Sequence, residues 1–242
     1  MTDKYILDET QDGSTSFVNT EFQESYHSSI GAYKEALHKH VLAVKLDELV
    51  RDLQNKNDCV IRLLDVCFGL GYNSGVAIEK IWEINPQQSI EITALESDPG
   101  IIEKISDLQI PENYHDVHKK LTSLAKLVPK MKQDPLSHNL LEYQEPKLSI
   151  KVLIDDARSS VKTLSENYFD AVFFDPFSPK SCPVLWTEEF ILDVVKKAKT
   201  RAYISTYSSS RKAKDGFKNA GCELLEGPKL NRRNGGVLAR KL

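Results

Sequence analysis

The sequence predicts an α/β protein built on a doubly wound, mostly parallel sheet, and three observations carry that expectation. Short apolar runs suited to buried strands ("VIRLLDV", "IEITALE", "LSIKVLI", "DAVFFD", "RAYIST") recur along the chain. Stretches of helical period separate them, and that alternation produces parallel strands joined by helices. The polar residues that stand out fall directly after the strands, at the sheet edge where such folds bind ligands.

The elements follow in order. "YILDE" and "TSFVN", split by Gln11-Asp12-Gly13-Ser14, predict a hairpin with an Asp-Gly turn. Tyr33, Leu37, Val41, Val44, Leu49 and Leu53 have helical spacing, so one helix is expected from Ile30 to about Gln54, ended by "NKND". Residues 1–58 are expected to pack as a unit on a main domain, 59–242. Strand "CVIRLLDV" opens that domain, followed by "FGLGYNSG" and a helix that stops at Asn85-Pro86. Strand "IEITALESD" and helix "GIIEKISDL" come next. Residues 111–147 break the alternation and predict a mostly helical insertion, with Pro129 as a kink or break and "DPLSHNLLEYQEPK" as loop. Strand "LSIKVLI", a short helix after Asp155-Asp156-Ala157-Arg158, and strand "DAVFFD" follow. A helix over about Thr187–Ala198, strand "RAYIST", helix "RKAKDGFKNAG" and strands near "CELLE" and "GGVLARKL" close the chain.

The 242 residues, 40% hydrophobic and 28% charged, fit one large domain or a domain with an appendage. No apolar run approaches the roughly eighteen residues that span a bilayer, and "MTDKYILDET" has neither the basic start nor the apolar core of a signal peptide. A cytoplasmic protein without membrane association is expected. The four cysteines form no Cys-x-x-Cys pair and the six histidines no His-Glu-x-x-His pattern, so neither a disulfide framework nor a metal site is expected. Cys67 and Cys182 read as small packing thiols. Net charge is −3, but residues 196–242 carry thirteen bases against three acids, whereas residues 1–58 carry six against eleven. A basic end on an acidic chain is either a phosphate-binding face or a solvated surface.

The candidate site lies at successive strand ends. Phe68-Gly69-Leu70-Gly71-Tyr72-Asn73 lets backbone approach a ligand and opens a helix whose free N–H groups suit an anion. The glycine spacing is not that of the nicotinamide fingerprint. Glu96, ending the second strand, suits the two hydroxyls of a ribose. After the third strand, Asp156 could accept from an adenine amine while Ala157 donates its N–H to a ring nitrogen; each Asp of that pair is alternatively a helix N-cap. Together these residues describe a pocket for an adenosine with a short polar tail. Asp175 ends the fourth strand beside the tail, before Pro176-Phe177-Ser178-Pro179, a stiff shelf.

"LLDVCFGLGYNSG", "ALESD", "DDAR" and "FFDPFSPKSCPVLWTEEF" resemble the successive motifs of class I S-adenosylmethionine-dependent methyltransferases, a Rossmann-like fold. More narrowly, with "DGSTSF", "YHSSIGAYKEA", "STYSSS" and "RRNGGVLARK", they resemble the methyltransferase domain of the MnmC type over most of the chain. Cys67, Leu70 and Asp155 depart from that pattern, as does the length of the 111–147 segment. The resemblance implies S-adenosyl-L-methionine as cofactor, bound by Phe68, Gly69, Gly71, Asn73, Glu96, Asp156, Ala157 and Asp175. It implies methylation of the 5-aminomethyl group of wobble uridine, 2-thiolated or not, in the anticodon loop of tRNA, by a form lacking the flavin oxidase domain often fused to this one. Asp175 would be catalytic, orienting the amine, with burial expected to raise its pKa. Phe177 would stack on uracil, Lys180, Arg232 and Arg233 would meet phosphates, and Tyr26 and His27 would close the pocket. An aminopropyltransferase of the spermidine synthase kind, a methyltransferase for another amine, and a non-catalytic RNA-binding module on this fold remain alternatives.

Overall fold

Strand β4 (Val60–Val66) occupies the middle of the sheet because both of its faces are apolar, with Ile61, Leu63, Leu64 and Val66 fully buried. In the computed structural model, which describes residues 3–53, 60–133, 139–230 and 235–242, it belongs to an eight-stranded sheet. The other strands are β5 (Ser89–Glu96), β6 (Leu140–Glu145), β7 (Leu148–Ile154), β8 (Phe169–Phe174), β9 (Ala198–Thr206), β10 (Cys222–Glu226) and β11 (Val237–Lys241). Their order is β10-β11-β9-β8-β4-β5-β7-β6, with the five central strands parallel and β6, β10 and β11 antiparallel to their neighbours. The chain runs outward from β4 through β5 to β7 and then returns to β8 on the other side of β4. That reversal opens a crevice at the carboxyl ends of β4, β5 and β8, the place where such sheets take ligands.

Helices cover both faces. Helix α3 (Tyr72–Ile84) follows β4, α4 (Pro99–Glu103) follows β5, and α5 (His115–Ala125) and α6 (Val128–Gln133) precede β6. Val76 and Ile81 of α3 and Leu121 of α5 pack on Leu63, Ile92 and Ile150. On the opposite face α7 (Ala157–Thr163), α8 (Glu188–Lys197) and α9 (Arg211–Asn219) bury Val161, Phe190, Val194 and Phe217 against Leu64, Val172 and Phe174.

The N-terminal hairpin forms as expected, β1 (Tyr5–Glu9) pairing with β2 (Thr15–Asn19), and a short β3 (Glu24–Ser25) adds to it. Phe17 and Tyr33 join the same apolar cluster as Val76 and Leu63, so this segment is seated on the first face. The single helix expected over 30–54 is instead α1 (Ala32–Glu35), a π-helical segment Ala36–Val41 and α2 (Leu46–Leu53), while Gln54 lies outside the described residues. The π-helical bond from the Leu42 N–H to the Leu37 carbonyl rotates the later residues, and Lys45 at φ 56° breaks the helix before α2.

The segment 111–147 also differs from expectation. Pro129 sits in the first turn of α6, where a missing N–H costs nothing, and residues read as loop form edge strand β6. β6 pairs with β7 around Pro146-Lys147, burying Leu141 and leaving Glu142 and Gln144 exposed. A six-residue edge strand with one solvated face carries little apolar signal in sequence.

Candidate active site

Backbone geometry builds the first wall. After β4 the chain enters Cys67-Phe68-Gly69-Leu70-Gly71, with Cys67, Gly69 and Gly71 at φ of 70°, 54° and 72°. Left-handed backbone is natural for glycine and costs about 1 kcal/mol for a side-chain residue such as Cys67, a common position for stored strain beside a site. Gly71 caps α3, and a Cβ there would lie 2.8 Å from Phe68, so this glycine keeps the turn closed. The Cys67 thiol is pushed well above its ordinary pKa by burial, which keeps it protonated and supports its reading as a packing group.

Glu96, at the end of β5, faces this loop. Its Oε2 accepts from the Gly69 N–H at 2.8 Å and its Oε1 from the N–H groups of Ser97 and Asp98, both at 2.9 Å. Burial pushes its carboxyl up to about 6 against these hydrogen bonds. The loop and Glu96 therefore hold one another in place.

Asp175, following β8, forms the opposite wall. Its Oδ2 accepts from Asn73 Nδ2 at 2.9 Å, and its Oδ1 lies 3.4 Å from Nε2 of fully buried His40. Burial alone would raise the pKa of Asp175, but the neighbouring His40 and the Asn73 hydrogen bond hold it down to about 2. This corrects the expectation of a raised value. Nothing in the sequence pattern marked a histidine 135 residues upstream as standing behind the carboxylate.

Gly69, Asn73, Glu96 and Asp175 line one cavity of about 310 Å³, a size suited to a small cofactor. Tyr26, His27 and Phe68 line it as well, as expected. The His27 ring, its pKa lowered by burial, lies 2.9 Å from Ser16 Oγ and edge-on to Tyr72. At the mouth, Phe177 packs between Tyr26 and Phe22, each with ring centroids 4.9 Å away. The proline shelf is pinned on both sides: the Ser178 N–H donates to Glu24 at 2.8 Å, and Trp186 Nε1 donates to the Phe177 carbonyl at 2.8 Å.

Beyond Glu96 and Asp175, the cavity wall holds Glu24, Glu35 and Asp98, acids that sequence reasoning missed; of these Glu35 is buried. Burial would raise its pKa, but the ammonium of Lys39 beside it holds it below the carboxylate range, and it accepts from the Ser28 N–H at 2.6 Å. The same helical segment contains Glu35, Lys39 and His40, but Glu35 and Lys39 fall on the face opposite Tyr33, Leu37, Val41 and Val44, where charge reads as solvated surface, so the periodicity did not mark them as buried.

Other expected site residues are not brought together. Asp156 caps α7, accepting from the Arg158 N–H at 2.9 Å and pairing with the Arg158 guanidinium, which lowers its pKa. It lines a separate cavity with Arg158, Lys162 and Thr187 and is not among the residues lining the main cavity, so the structure shows its N-cap role. Ala157 is buried at the start of α7, and Lys180 is exposed on the turn beyond the shelf, outside the lining of the main cavity. Arg232 and Arg233 lie outside the described residues. Among the described residues no group of His, Cys, Asp or Glu could hold a metal, and no helix is long and apolar enough to cross a membrane.

A family model described as S-adenosyl-L-methionine-dependent methyltransferase matches residues 115–242. The chain belongs to this family. It is 31% identical to MNMC2 from Aquifex aeolicus, whose crystal structure superposes with a TM-score of 0.79 over 97% of this chain and 70% of that one. An uncharacterized protein, MJ0670 of Methanocaldococcus jannaschii, is 28% identical over 99% of this chain and 60% of its own length. The tRNA 5-methylaminomethyl-2-thiouridine biosynthesis bifunctional protein MnmC of Azoarcus sp. is 24% identical over 87% of this chain and 32% of its own length. This chain thus spans about 60% of the first relative and about a third of the second. The methyltransferase fold and its cofactor, S-adenosyl-L-methionine, follow from the family match and the structural likeness.

The cavity fits that cofactor in its own terms. It offers a buried carboxylate at a strand end, a close backbone approach at Gly69, where a Cβ would stand 3.2 Å from Tyr26, and an unpaired acceptor, Asn73 Oδ1.

Proposed function

We propose that this methyltransferase acts on the primary amine of a 5-aminomethyl group on wobble uridine in tRNA, giving 5-methylaminomethyluridine, with or without a 2-thio group. The observation that carries this reading is Asp175, a carboxylate anchored by Asn73 and flanked by His40, facing the same cavity as Glu96 and the glycine turn. The tRNA-modifying name of the MnmC relative supports the choice of substrate.

When bound, S-adenosyl-L-methionine supplies an electrophilic methyl group on a sulfonium. Glu96 would accept from the ribose hydroxyls, and the turn at Gly69 with Asn73 would receive the amino-acid tail. Asp175, with a pKa of about 2, stays ionised at neutral pH and is too weak a base to keep the amine's proton. Its work is to attract the ammonium form and, once water has taken the proton, to hold the neutral amine by an N–H bond with its lone pair free. Orientation of this kind supplies more of the acceleration here than proton abstraction. Phe177, with Phe22 stacked on it and Tyr26 tilted against it, lines the cavity where the uracil ring would lie.

Purified protein, S-adenosyl-L-methionine and two tRNA preparations, one carrying 5-aminomethyluridine and one carrying plain uridine at the wobble position, test the proposal. Nucleoside mass spectrometry is expected to find one added methyl on the aminomethyl nucleoside alone. Methylation of both tRNAs, or of neither, would reject it.

A further inference from the structure

His40 has no exposed surface, yet its Nε2 lies 3.4 Å from Oδ1 of Asp175, a residue of the cavity wall. The π-helical segment Ala36–Val41 carries it across the sheet top, where its ring lies edge-on to Phe173 with centroids 5.9 Å apart. Nδ1 is 3.1 Å from Oγ of Ser205, itself fully buried on β9, and Nε2 is aimed at Asp175 Oδ1 at 3.4 Å with no other partner. An imidazole nitrogen left unsatisfied in a dry interior is costly, so one poised beside a carboxylate is expected to close on it when the site fills.

We propose that His40 is a positioning residue for Asp175: its Nε2–H donates to Oδ1, in the tautomer that Ser205 selects by donating its hydroxyl to Nδ1. Asn73 already holds Oδ2. With both oxygens held, the carboxylate cannot turn about its own axis, and its remaining lone pairs face the cavity in a single plane. The placement of His40 in a π-helical turn has a function on this account, because a regular helix through 36–41 would rotate the ring off this line. The inference rests on the proposed role of Asp175 toward an amine.

The variants are His40→Ala, His40→Gln, which keeps an N–H near the same place, and Ser205→Ala. Turnover on aminomethyl-tRNA is expected to fall about 10- to 100-fold in His40→Ala, on the scale of a misplaced catalytic group. His40→Gln should recover most of it, Ser205→Ala should lose several-fold, and the S-adenosyl-L-methionine Kd should stay within twofold throughout. Turnover unchanged in His40→Ala, or equal loss in His40→Ala and His40→Gln, assigns the ring to packing and overturns the proposal. A second readout does not depend on the substrate. Long-range ¹H–¹⁵N correlation of the histidine rings, with His40 assigned by its loss in His40→Gln, should show protonated Nε2 and bare Nδ1. The opposite tautomer also overturns the proposal. Should the wild type transfer no methyl to this tRNA, the substrate reading fails while the tautomer still decides the placement of His40.

Discussion

On the proposed reading Glu96 combines two jobs, holding the glycine loop and accepting from the ribose, and its pKa makes them separable. Its carboxyl, pushed up by burial to about 6, lies above the ordinary Glu value of about 4.3. The charged form is therefore disfavoured in the fold, so burial of Glu96 costs stability above pH 6, and that cost is relieved as pH falls from about 6 toward 4. Cofactor binding has the opposite sign, because ribose hydroxyls are best accepted by the ionised carboxylate. Calorimetric titration should find S-adenosyl-L-methionine affinity falling below pH 6 in the wild type and flat with pH in Glu96→Gln. Glu96→Ala should weaken binding by about 1.5–3 kcal/mol, the scale of a hydrogen bond to a charged group. A wild-type affinity that does not change between pH 5 and 7 would show that Glu96 does not meet the ribose. Glu96 and Asp175 were legible in the sequence because each ends an apolar strand, where a lone acid is conspicuous. His40 was not, because its importance lies in what β8 and β9 bring to it from more than a hundred residues away, and Glu35 was not, because it sits on the polar face of its helical segment.

Among the elements, the shelf 176–179 shows how rigidity is made from few contacts. The prolines fix φ, but the Trp186 indole and Glu24 fix the direction of the loop by donating to and accepting from its backbone. Trp186 is itself buried against Phe174, with ring centroids 5.2 Å apart. Trp186→Phe keeps most of that packing while leaving the Phe177 carbonyl without its donor. A loss of about 1–2 kcal/mol is expected, seen as a fall of several degrees in Tm. A raised KM for tRNA should accompany it, as Phe177 loosens, with cofactor Kd unchanged. An unaltered Tm and KM would show that the prolines alone suffice. Strands buried on both faces were the easiest elements to read, since most of their side chains are apolar. The edge strand β6 and the π-helical turn were hidden for physical reasons: one has a solvated face, and the other changes the helical period by only one residue over six.

Across the whole molecule, the reversal between β4 and β8 divides the site into two halves that meet at one cavity. On the proposed reading, β4, its glycine turn and Glu96 form the cofactor half, while Asp175, the shelf and the N-terminal hairpin form the acceptor half. The basic C-terminal region joins the second half through α9, whose Lys212 donates to the Pro183 carbonyl beyond the shelf at 3.3 Å. Arg211, Lys214 and Lys218 of the same helix are exposed. If this face meets RNA, Lys214→Ala with Lys218→Ala should raise the KM for tRNA and flatten its salt dependence by about one to two counterions, with cofactor Kd unmoved. An identical salt slope would mark it as a solvated surface. The two-half account is tested most directly by Asp175→Asn, which keeps the shape of the side chain and removes its charge. Single-turnover methyl transfer to aminomethyl-tRNA at pH 7 is expected to slow by about 10² or more, with the S-adenosyl-L-methionine Kd within a few-fold of wild type and part of the rate restored at higher pH. A near-normal transfer rate in Asp175→Asn, or a loss that comes wholly from failed cofactor binding, would contradict it.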